Sequence, residues 1–221
     1  MQDTIKENLL RIQEEIAPCT PHIIAVTKYF DTDAMIAAYD AGLRNFGESR
    51  AMDAIRKIQE LPQSIRENSK FHFIGHLQTN KVKKVVEYFD YIHSVDSLKL
   101  AQTISEEVSK SGKTQNIFLQ LNNANEEQKF GFSKDELFEN FEPISKLPNI
   151  KVVGLMNMAP LGASSDELKR LFEDVVLTRD ALEKRFNCNL TEISMGMSQD
   201  YKIAAQSGAT MLRIGRKLFN K

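Results

Sequence analysis

The sequence carries almost no excess of charge: 29 Lys and Arg stand against 30 Asp and Glu among 221 residues, a formal net charge of −1. That balance gives no electrostatic footprint for nucleic acid or for an anionic membrane surface. Cysteine is scarce. Cys19 and Cys188 form no CxxC pair, which excludes a zinc ribbon and a disulfide framework and fits a reducing compartment. No apolar run approaches the length of a membrane span. No GxGxxG opens a helix, and no linker, low-complexity tract or internal repeat marks a second domain. Residues 1–16 are amphipathic and carry acidic side chains, unlike a secretory signal or transit peptide. The expectation is a single domain over 1–221, cytoplasmic, with a length that buries a sizeable core.

What the sequence does have is alternation. Short apolar runs fall at 22–27, 43–46, 71–74, 91–94, 117–121, 151–155, 192–195 and 211–214. Most lack a strict in-out pattern, as parallel strands covered on both faces do. Between them lie segments of helical spacing at 32–41, 49–61, 79–88, 97–111, 134–147, 164–186 and 198–206. Ser164 and Glu167 have capping-box spacing, and Leu168, Leu171, Phe172, Val175, Leu182 and Phe186 then mark a buried stripe. A leading helix sets Ile5, Leu9, Ile12 and Ile16 on one face, and Pro18 and Pro21 end it. Eight strands alternating with helices predict an α/β fold, a (β/α)8 TIM barrel, over a doubly wound sheet. Only seven residues follow the last strand, so the leading helix is expected to cover part of the gap left there.

A barrel of this kind keeps its chemistry at the C-terminal strand ends. Lys28 ends the run Ile23-Ile24-Ala25-Val26-Thr27, and an ammonium whose stem begins in apolar surroundings becomes a nucleophilic amine toward aldehydes. The loops Ser194-Met195-Gly196-Met197-Ser198 and Arg213-Ile214-Gly215-Arg216 offer glycines and, near Ser198, an expected helix start, the elements of an anion cradle. Closure would put the last strand beside the first. Strands about 4.8 Å apart would then bring the Lys28 amine and the Ser194 loop to face each other across about 10 Å. A lysine for an aldehyde carbon, a phosphate cradle opposite and an arginine between them describe a pyridoxal 5′-phosphate site. Met156, Met158, Met195 and Met197 are expected to fill the barrel mouth. His72 and His76 have no spacing that converges on a metal, and the basic run 80–84 reads as a solvated helix face.

Several stretches resemble the pyridoxal phosphate homeostasis protein family, single-domain relatives of the alanine racemase N-terminal barrel. They are Ile24-Ala25-Val26-Thr27-Lys28, Asn45-Phe46-Gly47-Glu48, residues 71–81, His93-Ser94-Val95-Asp96, Lys129-Phe130-Gly131-Phe132, residues 154–160, Ser194-Met195-Gly196-Met197-Ser198 and Met211-Leu212-Arg213-Ile214-Gly215. The resemblance implies that Lys28 holds pyridoxal phosphate as an internal Schiff base. It implies that Ser194, Gly215 and the backbone around Met195 and Gly196 receive the phosphate, and that Arg213 faces the pyridine nitrogen. His76 is a further candidate beside the cofactor. A cation at the nitrogen opposes its protonation and leaves the ring a weak electron sink, in keeping with a family that binds and distributes the cofactor, with apo enzymes as recipients. A monomer is expected.

Two other readings compete, an amino-acid racemase using the same cofactor and a Schiff-base aldolase. The aldolase needs an acid/base carboxylate near Lys28, for which Glu48 is the strand-end candidate. The racemase relatives carry a further C-terminal β domain. Two positions depart from the family pattern. Ser49 stands where Asn is usual, and Arg216 stands where Ser or Thr is usual. The Arg216 backbone N–H remains available, and its guanidinium can engage an anion bidentately. Arg216→Ala is therefore expected to weaken cofactor retention measured by equilibrium dialysis, and Arg216→Thr largely to preserve it. Equal retention by all three forms would remove the Arg216 side chain from the site.

Overall fold

The computed structural model describes residues 1–124 and 130–220; Lys129, expected within a family-like stretch, lies outside the described residues. Eight strands form: β1 (His22–Val26), β2 (Asn45–Glu48), β3 (Lys70–Phe73), β4 (Tyr91–Val95), β5 (Gln115–Leu121), β6 (Ile150–Asn157), β7 (Glu192–Met197) and β8 (Met211–Ile214). They pair in sequence order, all parallel, and β8 returns to β1 to close a barrel. The described helices are α1 (Gln2–Ile16), α2 (Thr32–Asp40), α3 (Ala51–Glu60), α4 (Gln63–Glu67), α5 (Val82–Tyr88), α6 (Leu98–Ser109), α7 (Lys134–Ser145), α8 (Ser165–Phe186), α9 (Tyr201–Gln206) and α10 (Arg216–Phe219). The expected alternation and single barrel are as read from the sequence. Among the described residues no helix is long and apolar enough to cross a membrane.

The boundaries that moved have local causes. The apolar run at 43–46 begins with Leu43, yet Leu43 closes α2: its N–H reaches Ala38 O at 3.0 Å across Gly42, which takes φ +102°. This is a glycine helix stop, so β2 starts two residues later, at Asn45. Pro62 ends the expected 49–61 helix and opens the separate α4. At Ser164 the hydroxyl accepts from Glu167 N at 3.3 Å, the first half of a capping box. The complete reciprocal pair is built at Ser133 and Glu136.

Two apolar layers hold the barrel. Side chains alternate across each strand, so one set faces the helices and the other the barrel axis. The outer set joins Phe46, Phe73, Ile92, Leu119, Leu155, Ile193 and Leu212 to the helices as one continuous core. The inner set, Ile24, Phe118, Val153, Met156 and Met211, plugs the barrel interior. Met195 belongs to the outer core rather than to the mouth.

The leading helix closes the ring as expected. Ile5, Ile12 and Ile16 are buried, and α1 packs on α2, α9 and α10. The Asn8 amide donates to Leu218 O at 3.1 Å and Asn220 O at 2.9 Å, while Glu15 takes the Tyr201 hydroxyl and, at 3.3 Å, Lys202. The Asn8 contacts tie the chain's start to the short segment after β8, and the Glu15 contacts tie it to α9.

Between β6 and β7, Gly154 pairs with Glu192. A Cβ at Gly154 would come within 1.7 Å of Glu192 O, so any side chain there forces the two strands apart. Gly154→Ala is expected to cost about 3 kcal/mol or more in urea unfolding. Unchanged stability would show that the β6–β7 seam tolerates separation.

Candidate functional site

A cavity of about 860 Å3 opens at the C-terminal end of the barrel. Of the residues expected at the site, Lys28, His76, Arg213, Gly215 and Arg216 line it, and Ser194, Met195 and Gly196 do not. The β1–β8 pairing explains the first group. Ile24 is in register with Arg213 and Ala25 with Ile214, so continuing β1 to Lys28 carries its side chain over the same opening that Gly215 and Arg216 border.

Lys28 sits in a turn held from below. Phe30 N donates to Thr27 O at 2.9 Å, closing the turn over Lys28 and Tyr29. Beneath it, the fully buried Lys57 spends its three protons on Thr27 O (3.0 Å), Phe30 O (3.1 Å) and Glu48 Oε1 (2.5 Å). The Thr27 hydroxyl donates to the same Glu48 oxygen at 2.7 Å. Lys28 itself is half-buried, its Nζ 5.2 Å from the Tyr29 ring centroid. Lys57 was legible as an anomaly: it lies three residues after Ala54 and four before Leu61, on the buried stripe of α3.

Glu48 does not serve the cavity. It is fully buried and engaged by Lys57 and Thr27, and it does not line the opening. Burial pushes its carboxyl above the usual range despite the hydrogen bonds from Lys57 and Thr27. Its position between barrel and helix α3 removes the acid/base carboxylate that an aldolase would need.

The part of the expected loop that lines the cavity lies one turn of chain further on. β7 runs two residues further than its apolar run, to Met197, and α9 begins at Tyr201 instead of Ser198. Asp200 holds the intervening bend by accepting from Met197 N at 2.5 Å. Gly196, at φ +88°, lies where a Cβ would stand 2.5 Å from Ala204 Cβ, so it permits β7 and α9 to approach and does not line the cavity. Ser198 faces the cavity in its place, its Oγ accepting from Gly215 N and Lys217 N, each at 3.3 Å. The Ser198 hydroxyl and the Arg216 side chain thus border one side of the opening, with two backbone N–H groups holding the hydroxyl oxygen. Met158 and Met197 line it, while Met156 is part of the interior plug. On the β3 side, His76 stacks on Phe130 with centroids 3.6 Å apart, and its Nδ1 lies 3.5 Å from Asp96.

Ser194 sits below the floor instead. It is fully buried, accepts from Arg213 Nη1 at 2.7 Å and meets His93 Nδ1 at 2.9 Å. Arg213 Nη2 donates to Asn157 O at 2.8 Å. His93 Nε2 in turn meets His72 Nδ1 at 2.9 Å, and His72 Nε2 meets Asn45 Oδ1 at 3.0 Å. Burial pushes His72 down to about 3, and burial, then His72 and Arg213, hold His93 well below the ordinary range. Burial also lowers Arg213 to about 10, against the attraction of Asp200. At neutral pH the site therefore holds two neutral imidazoles and one cationic guanidinium.

The charged lining is one-sided. Lys28, Arg213 and Arg216 reach the cavity, and among the described residues no Asp or Glu does. Such a cavity favours an anion.

The family model described as alanine racemase, N-terminal domain, matches residues 1–220. A pyridoxal phosphate homeostasis protein of Synechocystis is 39% identical over 202 residues, covering 91% of this chain and 92% of that protein. The solved structure of PipY from Synechococcus elongatus PCC7942 is similar both without PLP (TM-score 0.91, 36% identity) and with PLP bound (TM-score 0.88, 35%). Each comparison covers 98% of this chain and all of the PipY chain. An alanine racemase of Clostridium difficile 630 shares the fold at 15% identity and TM-score 0.81; the match covers 57% of that longer chain.

The two buried imidazoles yield a pH prediction. Their folded-state values lie below that of an unfolded histidine, so on acidification the unfolded chain binds protons that the folded chain does not. The stabilisation is whole above about pH 6.5 and falls as the pH drops below it, toward about 3 for His72. Histidine ring NMR signals of His72 and His93 should stay in the neutral position from pH 8 to the onset of acid unfolding. A midpoint near 6.5 for either ring would contradict the assignment.

Proposed function

Because the chain belongs to the pyridoxal phosphate homeostasis protein family, we propose that it binds pyridoxal 5′-phosphate in this cavity, anchored on Lys28, and holds it as part of vitamin B6 homeostasis. The observation that carries the reading is the lining itself: three cations and no carboxylate among the described residues, around a space of about 860 Å3. The residues fit the group. The Ser198 hydroxyl, whose oxygen accepts from Gly215 N and Lys217 N, keeps its proton for a phosphate, and the Arg216 side chain and backbone N–H add donors, a first-turn N–H having no acceptor within its own helix.

Each residue has a defined task. Lys28, as the free amine, condenses with an aldehyde and releases one water, and the Lys57-braced turn fixes where that amine starts. The cofactor supplies the aldehyde and an electron-accepting ring. Arg213, held cationic with Ser194 and Asn157 O as neutral acceptors, opposes protonation of a ring nitrogen placed against it. Without a protonated ring and with no cavity carboxylate among the described residues, the site is equipped to hold the cofactor and poorly equipped to drive a substrate carbanion. This favours storage and hand-over to apo enzymes above racemisation. The rim supports release: Tyr29 and Leu161 are 70% and 85% exposed, so the mouth is open. Two unpaired cysteines accord with a cytoplasmic setting.

Purified protein mixed with pyridoxal phosphate should turn yellow, and borohydride should fix a pyridoxyl group on the Lys28 peptide. Lys28→Ala should abolish that adduct. Adducts spread over surface lysines at equal yield would refute the site. Racemisation of D- or L-alanine well above free cofactor, lost in Lys28→Ala, would overturn the non-enzymatic part.

A further inference from the structure

The polar chain beneath the cavity floor links five strands. Arg213 on β8 reaches Ser194 on β7, Ser194 reaches His93 on β4, His93 reaches His72 on β3, and His72 reaches Asn45 on β2. His72, His93 and Ser194 are fully buried, and Arg213 is 4% exposed. Phe118 stacks on His93 and Tyr91 on His72, with centroids 4.1 Å and 4.6 Å apart, so neither ring can turn freely.

Donor accounting gives the chain a direction. A guanidinium only donates, so Ser194 Oγ must accept from Arg213. The Ser194 proton then goes to His93 Nδ1, which makes His93 Nε2 the protonated nitrogen and His72 Nδ1 its acceptor. His72 Nε2–H finally donates to Asn45 Oδ1. Run the other way, with the Asn45 amide turned over, the chain would leave the Ser194 hydroxyl proton without an acceptor at a fully buried position, which is costly. Only the first direction satisfies every member, and it requires both imidazoles to be neutral.

We propose that Asn45, His72, His93 and Ser194 are positioning residues for Arg213, and that through it they make the cavity selective for a ligand ring with a lone-pair nitrogen over the same ring with a C–H in that place. This rests on the pyridoxal phosphate reading for the ligand, and on the hydrogen bonds alone for the positioning. The chain gives Arg213 a neutral acceptor where a carboxylate would neutralise it. Ser194 and Asn157 O take one N–H from each terminal nitrogen, which fixes the guanidinium plane and leaves further N–H groups for the cavity that Arg213 lines. A loosened guanidinium would still attract anions, yet it would lose its aim at one ligand atom.

The test compares affinity for pyridoxal phosphate with affinity for its 1-deaza analogue, in which C–H replaces the ring nitrogen. Wild type should prefer the natural ring by about tenfold, the scale of one hydrogen bond from a charged donor. His93→Phe keeps ring size and stacking but breaks the chain, and its preference should fall to about twofold or less; Ser194→Ala should do the same from the neighbouring link. His93→Gln, whose amide can both accept and donate, should recover part of the preference. A general loss of packing would weaken both ligands equally and leave the ratio unchanged. Arg213 guanidinium NMR on the ligand-free protein supplies a second readout: restricted rotation in wild type, faster rotation in His93→Phe and Ser194→Ala. If wild type takes up no pyridoxal phosphate, the functional reading fails while the NMR comparison still decides the positioning. Folded variants with wild-type ratio and wild-type Arg213 rotation would overturn the proposal.

Discussion

The pairing of β8 with β1 is the constraint on which the site depends. Lys28 and Arg213 come from near opposite ends of the sequence, and only the register Ile24 to Arg213 places them at one opening. The closure is not held by strand hydrogen bonds alone. Helix α1 packs over the seam, and Asn8 ties it to Leu218 and Asn220, just beyond the segment that offers Gly215 and Arg216 to the cavity. The short tail after β8 is thereby fixed at both its strand end and its helix end, which gives the Gly215–Arg216 side of the cavity a rigid frame.

Two buried polar devices lie under that opening and solve opposite problems. Under Lys28, a buried cation is fully paired: Lys57 bonds the Glu48 carboxylate and two carbonyls, with Asp53 3.7 Å away, so its charge is spent on holding a turn. Under Arg213, a buried cation hydrogen-bonds, among the described residues, to neutral acceptors, with the Asp200 carboxylate acting on it only electrostatically, so its N–H groups remain directed at the cavity. A buried ion pair contributes little net stability against an apolar replacement, but breaking one partner is expensive. Both arrangements accordingly serve placement more than stability, which the two apolar layers supply.

Much of this was legible in the sequence because it rests on local pattern. The alternation of runs and helices identifies the barrel, and strand ends identify Lys28, Arg213, Gly215, Arg216 and His76 as cavity residues. Ser198, four residues beyond the expected Ser194, is the serine of this loop that lines the cavity. Ser198 has the composition of a helix cap, whereas Asp200 takes the Met197 N–H and keeps 198–200 out of the helix. Gly196 looked like an anion-binding glycine, but its freedom is used against Ala204. The chain from Asn45 to Arg213 was not readable at all, since its members sit on five strands and only closure brings them into contact. Lys57 was readable in principle, as a charge on an apolar stripe, and was overlooked because a lysine on a helix ordinarily faces water.

The most direct test of the whole account is a crystal structure of the protein grown with pyridoxal phosphate. Continuous density should run from Lys28 Nζ into the ring, with the phosphate against Ser198, Gly215 and Arg216 and the ring nitrogen toward Arg213. A ligand bound elsewhere on the barrel, or within this cavity with its phosphate on Ser194 or away from Lys28, would contradict it.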